Sequence, residues 1–466
     1  MADMKNMTPE NMARAAAGKL LGPAMLYKRE ITEVVTDSRK IQSGCLFAAL
    51  RGERADGHSF IAQTIRDGAG AVLAEYLPDE FEPEVPVILV ADVRKALQEL
   101  AAWYLDKVQI PTVGIIGSAG KTSTKEMVAS VLSQKFSVLK TEGNFNNELG
   151  VPLTVFRIRE EHQIAVIEMG INHFGEMTRL AKIVRPDTVV MTNIGTAHLE
   201  FLKDRDGILR AKSEVFAYMK PEGVAILNGD DDKLITQRQI RGNKPLFYAV
   251  DNPEAEVRAD NVELIGIEST RCTMITPAHR FEVVIPASGL HAVHNALAGA
   301  AVGYRYGLTA EEISAGIAAY KSLAGRFQII HTDLLTIIDD SYNANPSSMK
   351  ASLRVLQNGT GRKTAVLGDM GELGDNAESL HREVGLFAGK CHIDSLYCIG
   401  ELGRNIAEGA LESVKESGSS MTVHWFPDGS AFAGNIPGMI QKGDVVLVKA
   451  SRFMGFERIV RELREL

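Results

Sequence analysis

Along most of this chain, short β-branched apolar runs alternate with longer segments whose apolar residues recur every three to four positions. The first pattern is that of buried strands and the second that of amphipathic helices. Between residues 1 and 108, the runs at 31–35, 46–50, 71–74 and 87–90 predict strands. Thr8, Pro9 and Glu10 read as a helix start and Gly18 as a stop, which predicts a short helix over 12–17. Another is expected over 59–67, ended by Gly68. The cleanest helix follows Asp92, where Val93, Ala96, Leu97, Leu100, Ala101, Tyr104 and Leu105 share one face. Such a face suits a joint with the next unit.

From 109 to 322, strands predicted at 113–116, 164–167, 188–192 and 224–227 alternate with helices at 122–136, 175–184 and 206–219. Past Asp230 the pattern changes. The β-rich stretch 257–285 lacks helical spacing and predicts an antiparallel insertion or edge, and an alanine-rich helix opens at His291. From 323 to 466, strands at 335–338, 364–367, 396–399, 423–426 and 445–448 again alternate with helices, the first at 347–356. Alternation of this length implies mostly parallel sheets with helices on both faces. The expected fold class is therefore α/β in three domains. A small α/β N-terminal domain (1–108) precedes a central P-loop mononucleotide-binding domain with a mostly parallel sheet (109–322). A doubly wound, Rossmann-like C-terminal domain (323–466) follows.

Length agrees, since 466 residues suggest about three domains. With 45% hydrophobic and 24% charged residues the composition is that of a globular protein. A net charge of −8 argues against a nucleic-acid partner, because no broad phosphate-neutralising surface is on offer. No apolar run reaches the length of a membrane span, and the N-terminus lacks a signal-peptide pattern. Cys45, Cys272, Cys391 and Cys398 are scattered without metal-ligand spacing, as free thiols of a reducing compartment would be. A cytoplasmic location is expected.

Chemistry concentrates where the strand at 113–116 runs into Gly117, Ser118, Ala119, Gly120, Lys121, Thr122 and Ser123. The glycines permit a tight turn and close approach to a ligand. Backbone N–H groups at the following helix start attract phosphate, Lys121 adds a point charge, and the Thr122 hydroxyl is placed to hold Mg²⁺. The general phosphate-loop pattern would need glycine at position 115, which here is Ile115, so the loop is a tighter one. A glycine-rich turn that happens to precede Lys-Thr is the plain alternative.

In parallel sheets ligands gather beyond the carboxyl ends of strands. Glu168 ends one strand and could reach Mg²⁺ beside the loop, or be a solvated charge. His198 lies past the next strand, where a lone histidine is usually structural. Asn144 and Asn147 sit in a polar loop that could hold phosphate or merely turn the chain. Lys212, on a helix, would ordinarily be a surface lysine. Asp37-Ser-Arg39 and Asp56-Gly-His58 read as turn chemistry, and Asp340, Asn343 and Asn345 lie beyond a strand of the third segment.

Taken together, the elements Gly117–Thr122, Glu142–Asn147, Glu168–Gly170, Asn193–His198, Ala211–Glu214, His291 with Asn295, Gly325-Arg326 and Asp340 resemble the Mur ligases, ATP-dependent amide-bond ligases of peptidoglycan precursor synthesis. The resemblance covers nearly the whole chain, in the family's order. Asp340–Met349, Leu367–Leu373, Val448–Arg452 and the opening Asp37-Ser-Arg39 and Asp56-Gly-His58 are similar to the members that add D-alanyl-D-alanine. Ala450 departs from the glycine common before Ser-Arg.

The resemblance implies that Thr122 and Glu168 ligate one Mg²⁺ and that Lys121 contacts the ATP phosphates. It implies a second Mg²⁺ served by His198 and by Lys212 in carbamylated form. Asn295 would lie at the adenine, Arg326 at the phosphates and Asp340 near the ribose. Ser38, Arg39 and His58 would serve the UDP end of a UDP-N-acetylmuramoyl-tripeptide, and Asn343 and Asn345 the substrate side of the third domain, where D-alanyl-D-alanine enters. The implied reaction proceeds through an acyl phosphate, in a protein expected to be monomeric. Other Mur-type ligases, adding diaminopimelate or lysine, share the central domain. A nucleotide-dependent regulator or a kinase-like phosphotransferase would also use the loop.

Overall fold

The computed structural model describes residues 4–52, 55–79, 81–196 and 199–466, and it contains three sheets in chain order. The N-terminal sheet has strands β1 (Lys19–Leu21), β2 (Val34–Val35), β3 (Leu46–Ala48), β4 (Ala71–Ala74) and β5 (Val87–Leu89), in the order β1-β5-β4-β3-β2. Only the β1–β5 pair is antiparallel. The helix Val93–Val108 is capped by the Asp92 side chain and buries all seven residues of its predicted face. It packs on Gly150–Val155 and Glu176–Val184 of the central unit, as the joint demands.

The central sheet comprises β6 (Thr112–Ile116), β7 (Val138–Lys140), β8 (Ile164–Glu168), β9 (Thr188–Met191), β10 (Val224–Asn228), β11 (Leu246–Ala249), β12 (Val257–Ile265), β13 (Ser269–Ile275) and β14 (Arg280–Ile285). Their order is β14-β13-β12-β11-β10-β9-β6-β8-β7. The chain leaves β6 in one direction and returns to pair β9 on its other side, so the loop after β6 opens at a topological switch point. The β-rich stretch past Asp230 is an antiparallel edge, β12 to β14, as its alternation predicts.

The C-terminal sheet holds β15 (Gln328–His331), β16 (Thr336–Asp339), β17 (Lys363–Gly368), β18 (Ser395–Ile399), β19 (Thr422–Phe426) and β20 (Val445–Lys449), in the order β15-β16-β20-β17-β18-β19. Separate apolar clusters form on its two faces, which makes it doubly wound.

Several elements differ from the expectation, each for a local reason. The first helix runs Pro9–Ala15, because Thr8 caps Asn11 and the chain already turns left-handed at Ala17. Ile31 is not in β2, since its backbone pairs with Met4 and Met7 instead. The helix expected at 206–219 divides into Arg205–Ser213 and a 3-10 turn, Glu214–Tyr218. The Glu214 carboxylate is drawn to the Gly175 and Thr178 N–H groups at that division. β1, β7, β11 and the helix Gly150–Val155 are too short to carry a readable period. The unforeseen helix Ala310–Ala318 does have a signature, the Thr309–Glu312 capping box.

Candidate active site

β6 ends at Ile116, and the loop turns through Gly117 (φ 148°) and Gly120 (φ 77°). A side chain at Gly117 would run into the Thr192 hydroxyl, so only glycine fits there. Ile115, where a longer loop would have glycine, is a fully buried strand residue. The residues after β9 brace the loop. Ser118 N–H donates to the Asn193 carbonyl (3.0 Å) and Ala119 N–H to Asn193 Oδ1 (2.9 Å). The Ala119 carbonyl accepts from Thr192 Oγ1 (2.6 Å) and Asn193 Nδ2 (3.1 Å). Helix Lys121–Leu132 starts at Gly120, so its first-turn N–H groups and positive dipole end face the cleft.

Lys121 Nζ donates to the Gly117 carbonyl at 3.0 Å, and burial draws its pKa down against the opposing charge of Glu168. Glu168 ends β8 and is buried. Its N–H donates to Thr141 Oγ1 (3.0 Å), and its Oε1 accepts from Asn146 Nδ2 (2.7 Å). Among the described residues its Oε2 and the Ser118 hydroxyl have no hydrogen-bond partner. A buried carboxylate oxygen left without a donor is costly, which fits a site that takes a cation. Among the described residues no three His, Cys, Asp or Glu side chains converge as an all-protein metal cage. One hydroxyl and one carboxylate beside a phosphate loop suit Mg²⁺, which keeps water and substrate phosphates as its other ligands.

Lys212 is not a surface lysine. It is 1% exposed on the helix Arg205–Ser213 and, among the described residues, has no hydrogen-bond or ion-pair partner. Burial pushes its pKa well below the ordinary 10.5, and the charge of Lys121 adds to the effect. A shift in this direction favours the neutral amine, the form that can add to carbon dioxide.

The C-terminal domain supplies the facing wall of a cleft of about 1030 Å³. Ser118 to Ser123, Asn144, Asn147, Glu168 and Asn295 line one side, and Arg326, Asp340, Asn343 and Asn345 line the other. Both walls are thus already face to face, and the ring edge of His291 meets Phe327 across the joint at 5.2 Å. Arg326 lies over the Tyr342 ring at 4.0 Å with Arg452 over the same ring at 5.3 Å, which gathers two cations at the cleft. Much of this wall is internally engaged. Asp340 accepts from Lys449 Nζ (2.6 Å), Ser352 Oγ (2.7 Å) and Phe327 N–H (3.2 Å). Asn345 caps the helix Pro346–Leu356, and Asn343 Oδ1 accepts from Ala344 N–H (2.9 Å). Asn295 accepts from Thr124 Oγ1 at 2.7 Å, and Asn147 Oδ1 from Leu149 and Gly150 N–H.

Ser38, Arg39 and His58 do not line this cleft. Arg39 is clamped to Asp37, whose carboxyl it holds well below the usual range. His58 is fully buried, with Nδ1 at 2.6 Å from Asp56 Oδ1 and Nε2 accepting from Glu75 N–H (2.9 Å). Its ring stacks on Tyr76 at 4.1 Å, so it shapes the loop and has no ring nitrogen left to offer a ligand. His198 lies outside the described residues.

Residues the sequence did not single out complete the site. Thr141 and Asn146 hold Glu168, and Thr192 and Asn193 hold the loop. Glu372 lines the cleft at φ 63°, a strained conformation for glutamate. Asn146 sat between the two asparagines already flagged. Asn193 and Glu372 lie inside elements that carry the family resemblance, but their roles, like those of Thr141 and Thr192, needed the tertiary structure.

A Mur ligase family catalytic-domain model matches residues 30–104, a Mur ligase middle-domain model 115–303 and a Mur ligase glutamate ligase-domain model 325–452. The UDP-N-acetylmuramoyl-tripeptide–D-alanyl-D-alanine ligase of Bacillus subtilis is 38% identical, over 99% of each chain. A crystal structure of MurF from Acinetobacter baumannii is 34% identical and superposes with a TM-score of 0.89 over 100% of both chains. The MurF ligase of Thermotoga maritima in complex with ADP is 30% identical with a TM-score of 0.82, over 93% of this chain and 97% of that one.

Proposed function

The chain belongs to the Mur ligase family, and on that premise we propose that it joins D-alanyl-D-alanine to UDP-N-acetylmuramoyl-tripeptide with ATP, forming the UDP-N-acetylmuramoyl-pentapeptide of peptidoglycan synthesis. It is an ATP-dependent ligase. The observation that carries the reading is the shared cleft, with a phosphate loop on one wall and the Asp340–Asn345 segment on the other.

The γ-phosphoryl group of ATP passes to the precursor's terminal carboxylate, giving an acyl phosphate and ADP. The dipeptide amine, having lost a proton, attacks that carbonyl, the C–N bond forms and inorganic phosphate leaves. Two anionic reactants must meet, so the protein's task is positioning and charge stabilisation. Lys121, the first-turn N–H groups of its helix and Arg326 gather positive charge where phosphates collect. The two walls keep water from the acyl phosphate.

Mg²⁺, when bound, would offset charge on the phosphates and the transferring group. Thr122 and Glu168 are the residues to hold one ion, and the unpartnered Glu168 Oε2 supports this. His198 and Lys212 would serve a second. For that role Lys212 adds carbon dioxide at Nζ, an N–C bond forms and a proton is released, turning a cation that would repel metal into an anionic ligand. Its unpartnered burial supports the modification. The N-terminal domain would hold the UDP end through the loops of Ser38, Arg39 and His58, with His58 acting by position. We further assign the protein to the cytoplasm as a monomer. Among the described residues no helix is long and apolar enough to cross a membrane.

The test is to incubate the full chain with ATP, UDP-tripeptide and D-alanyl-D-alanine and to follow products by mass spectrometry. A pentapeptide precursor should appear together with equal amounts of ADP and phosphate. Product formed only from diaminopimelate and the dipeptide precursor, or nucleotide consumed with no amide, would overturn the reading.

A further inference from the structure

We propose that Lys125 is a positioning residue that fixes Glu168 relative to the phosphate loop, and so sets the geometry at which Thr122 and Glu168 take a divalent cation with the nucleotide. This rests on the assignment of those two residues as cation ligands.

Lys125 lies one helical turn beyond Lys121 on the same helix, does not line the cleft, and is completely buried. Its Nζ donates to the Thr141 carbonyl at 2.7 Å and pairs with Glu126 at 2.9 Å. Glu126 in turn pairs with Lys140, at the end of β7. Thr141 is also completely buried, and its hydroxyl is the acceptor for the Glu168 N–H. The chain then runs on to Asn146, whose side chain holds Glu168 Oε1 and whose carbonyl accepts from Gly170 N–H (2.8 Å).

Glu168 is therefore gripped at its backbone, at one carboxylate oxygen and two residues further on. All three grips come from the segment 141–146. Lys125 ties the start of that segment to the helix whose first turn bears Lys121 and Thr122. A methionine would fill the same space without the cost of removing an ammonium from water. A buried, directional cation makes physical sense where the distance between two ligating groups has to be fixed, as for groups that support metal ligands from behind.

The experiment compares Lys125→Met, Lys125→Arg and Thr141→Val with the unmodified full chain. Mn²⁺ binding in the presence of a non-hydrolysable ATP analogue is read by electron paramagnetic resonance. Folding is checked by circular dichroism, and the rate is measured against Mg²⁺ and against precursor. Lys125→Met should weaken Mn²⁺ binding on the order of 10- to 100-fold. It should raise the Mg²⁺ needed for half-maximal rate and leave the KM for precursor unchanged. Thr141→Val should act in the same direction, and Lys125→Arg should recover part of the loss. Unaltered Mn²⁺ affinity in folded Lys125→Met overturns the proposal, and if that variant does not fold, unaltered affinity in Thr141→Val does so. An unmodified chain that makes no amide overturns the proposed function instead, while its Mn²⁺ binding still decides the role of Lys125.

Discussion

Two helices of the central domain each remove a lysine from water, and the two side chains end in opposite situations. Lys125, 0% exposed, has a carbonyl and a carboxylate within hydrogen-bond reach. Lys212, 1% exposed, has neither among the described residues and stands close enough to Lys121 to feel its charge. Burial is the same, so the partners decide what each group is. A partnered lysine is a structural tie, whereas one buried without a partner is pushed towards the neutral, nucleophilic amine. The contrast sets a structural tie and a candidate reactive amine on separate helices, of which the one bearing Lys125 also lines the cleft through its first turn.

The largest effect expected from breaking this contrast is at Lys212. Lys212→Met should cut amide formation on the order of a thousandfold, since it removes the anionic ligand proposed for a second Mg²⁺. Lys212→Ala, which leaves room, should regain part of its rate with an added short carboxylic acid. In carbon dioxide-free buffer Lys212→Met should nevertheless melt higher than the unmodified chain. Its folded pKa lies below 10.5, so the unfolded chain binds the extra proton in the interval beneath that value, and stability there rises with pH. The advantage of methionine should accordingly shrink as pH climbs towards 10.5. Calorimetry at several pH values checks the sign, and full activity in the methionine variant removes the carbamate.

The same substitution at Lys125 should have the opposite sign. Lys125→Met strands the buried Thr141 carbonyl and takes one of two lysines from Glu126. Breaking a buried pair from one side costs about 3 kcal/mol. Urea unfolding should show the loss, with Glu126→Gln losing less because it removes a charge and leaves the Thr141 tie intact. Two methionines of the same shape, one raising stability and one lowering it, would separate partner from burial directly.

Much of this molecule could be read in the chain beforehand, and the limits have physical causes. The Asp92 cap and the buried face of the helix Val93–Val108 are legible in the sequence because a long amphipathic face repeats its signal across four turns. β7 has only three residues, yet it ends at Lys140 and leads into Thr141, on which Glu168 depends. Lys121, Thr122 and Glu168 were visible because strand ends and a glycine loop mark them. Nothing in the sequence singles out Lys125, whose neighbours Thr124, Met127 and Val128 are buried with it in the structure. For Lys212 the physical prior pointed to the surface, and only the family resemblance pointed inward. What burial does to a charge depends on neighbours from distant segments, which spacing along the chain does not record.

The smallest effect tests whether burial displaces a base that lines the cleft itself. His291 opens the helix Leu290–Arg305, lines the cleft and meets Phe327 of the opposite wall. Burial lowers its pKa from 6.5 to about 4, with Asp340 opposing the shift and Lys449 and His294 adding to it. The folded protein thus keeps His291 neutral after the unfolded chain has taken up its proton. Stability contributed by the neutral ring should be intact above pH 6.5, fall as pH drops from 6.5 to 4, and level off below. A His291→Gln variant should lack that component, so its melting temperature should decline by a few degrees less over this interval. If the two curves run parallel, burial without a partner is too weak a cause in this cleft.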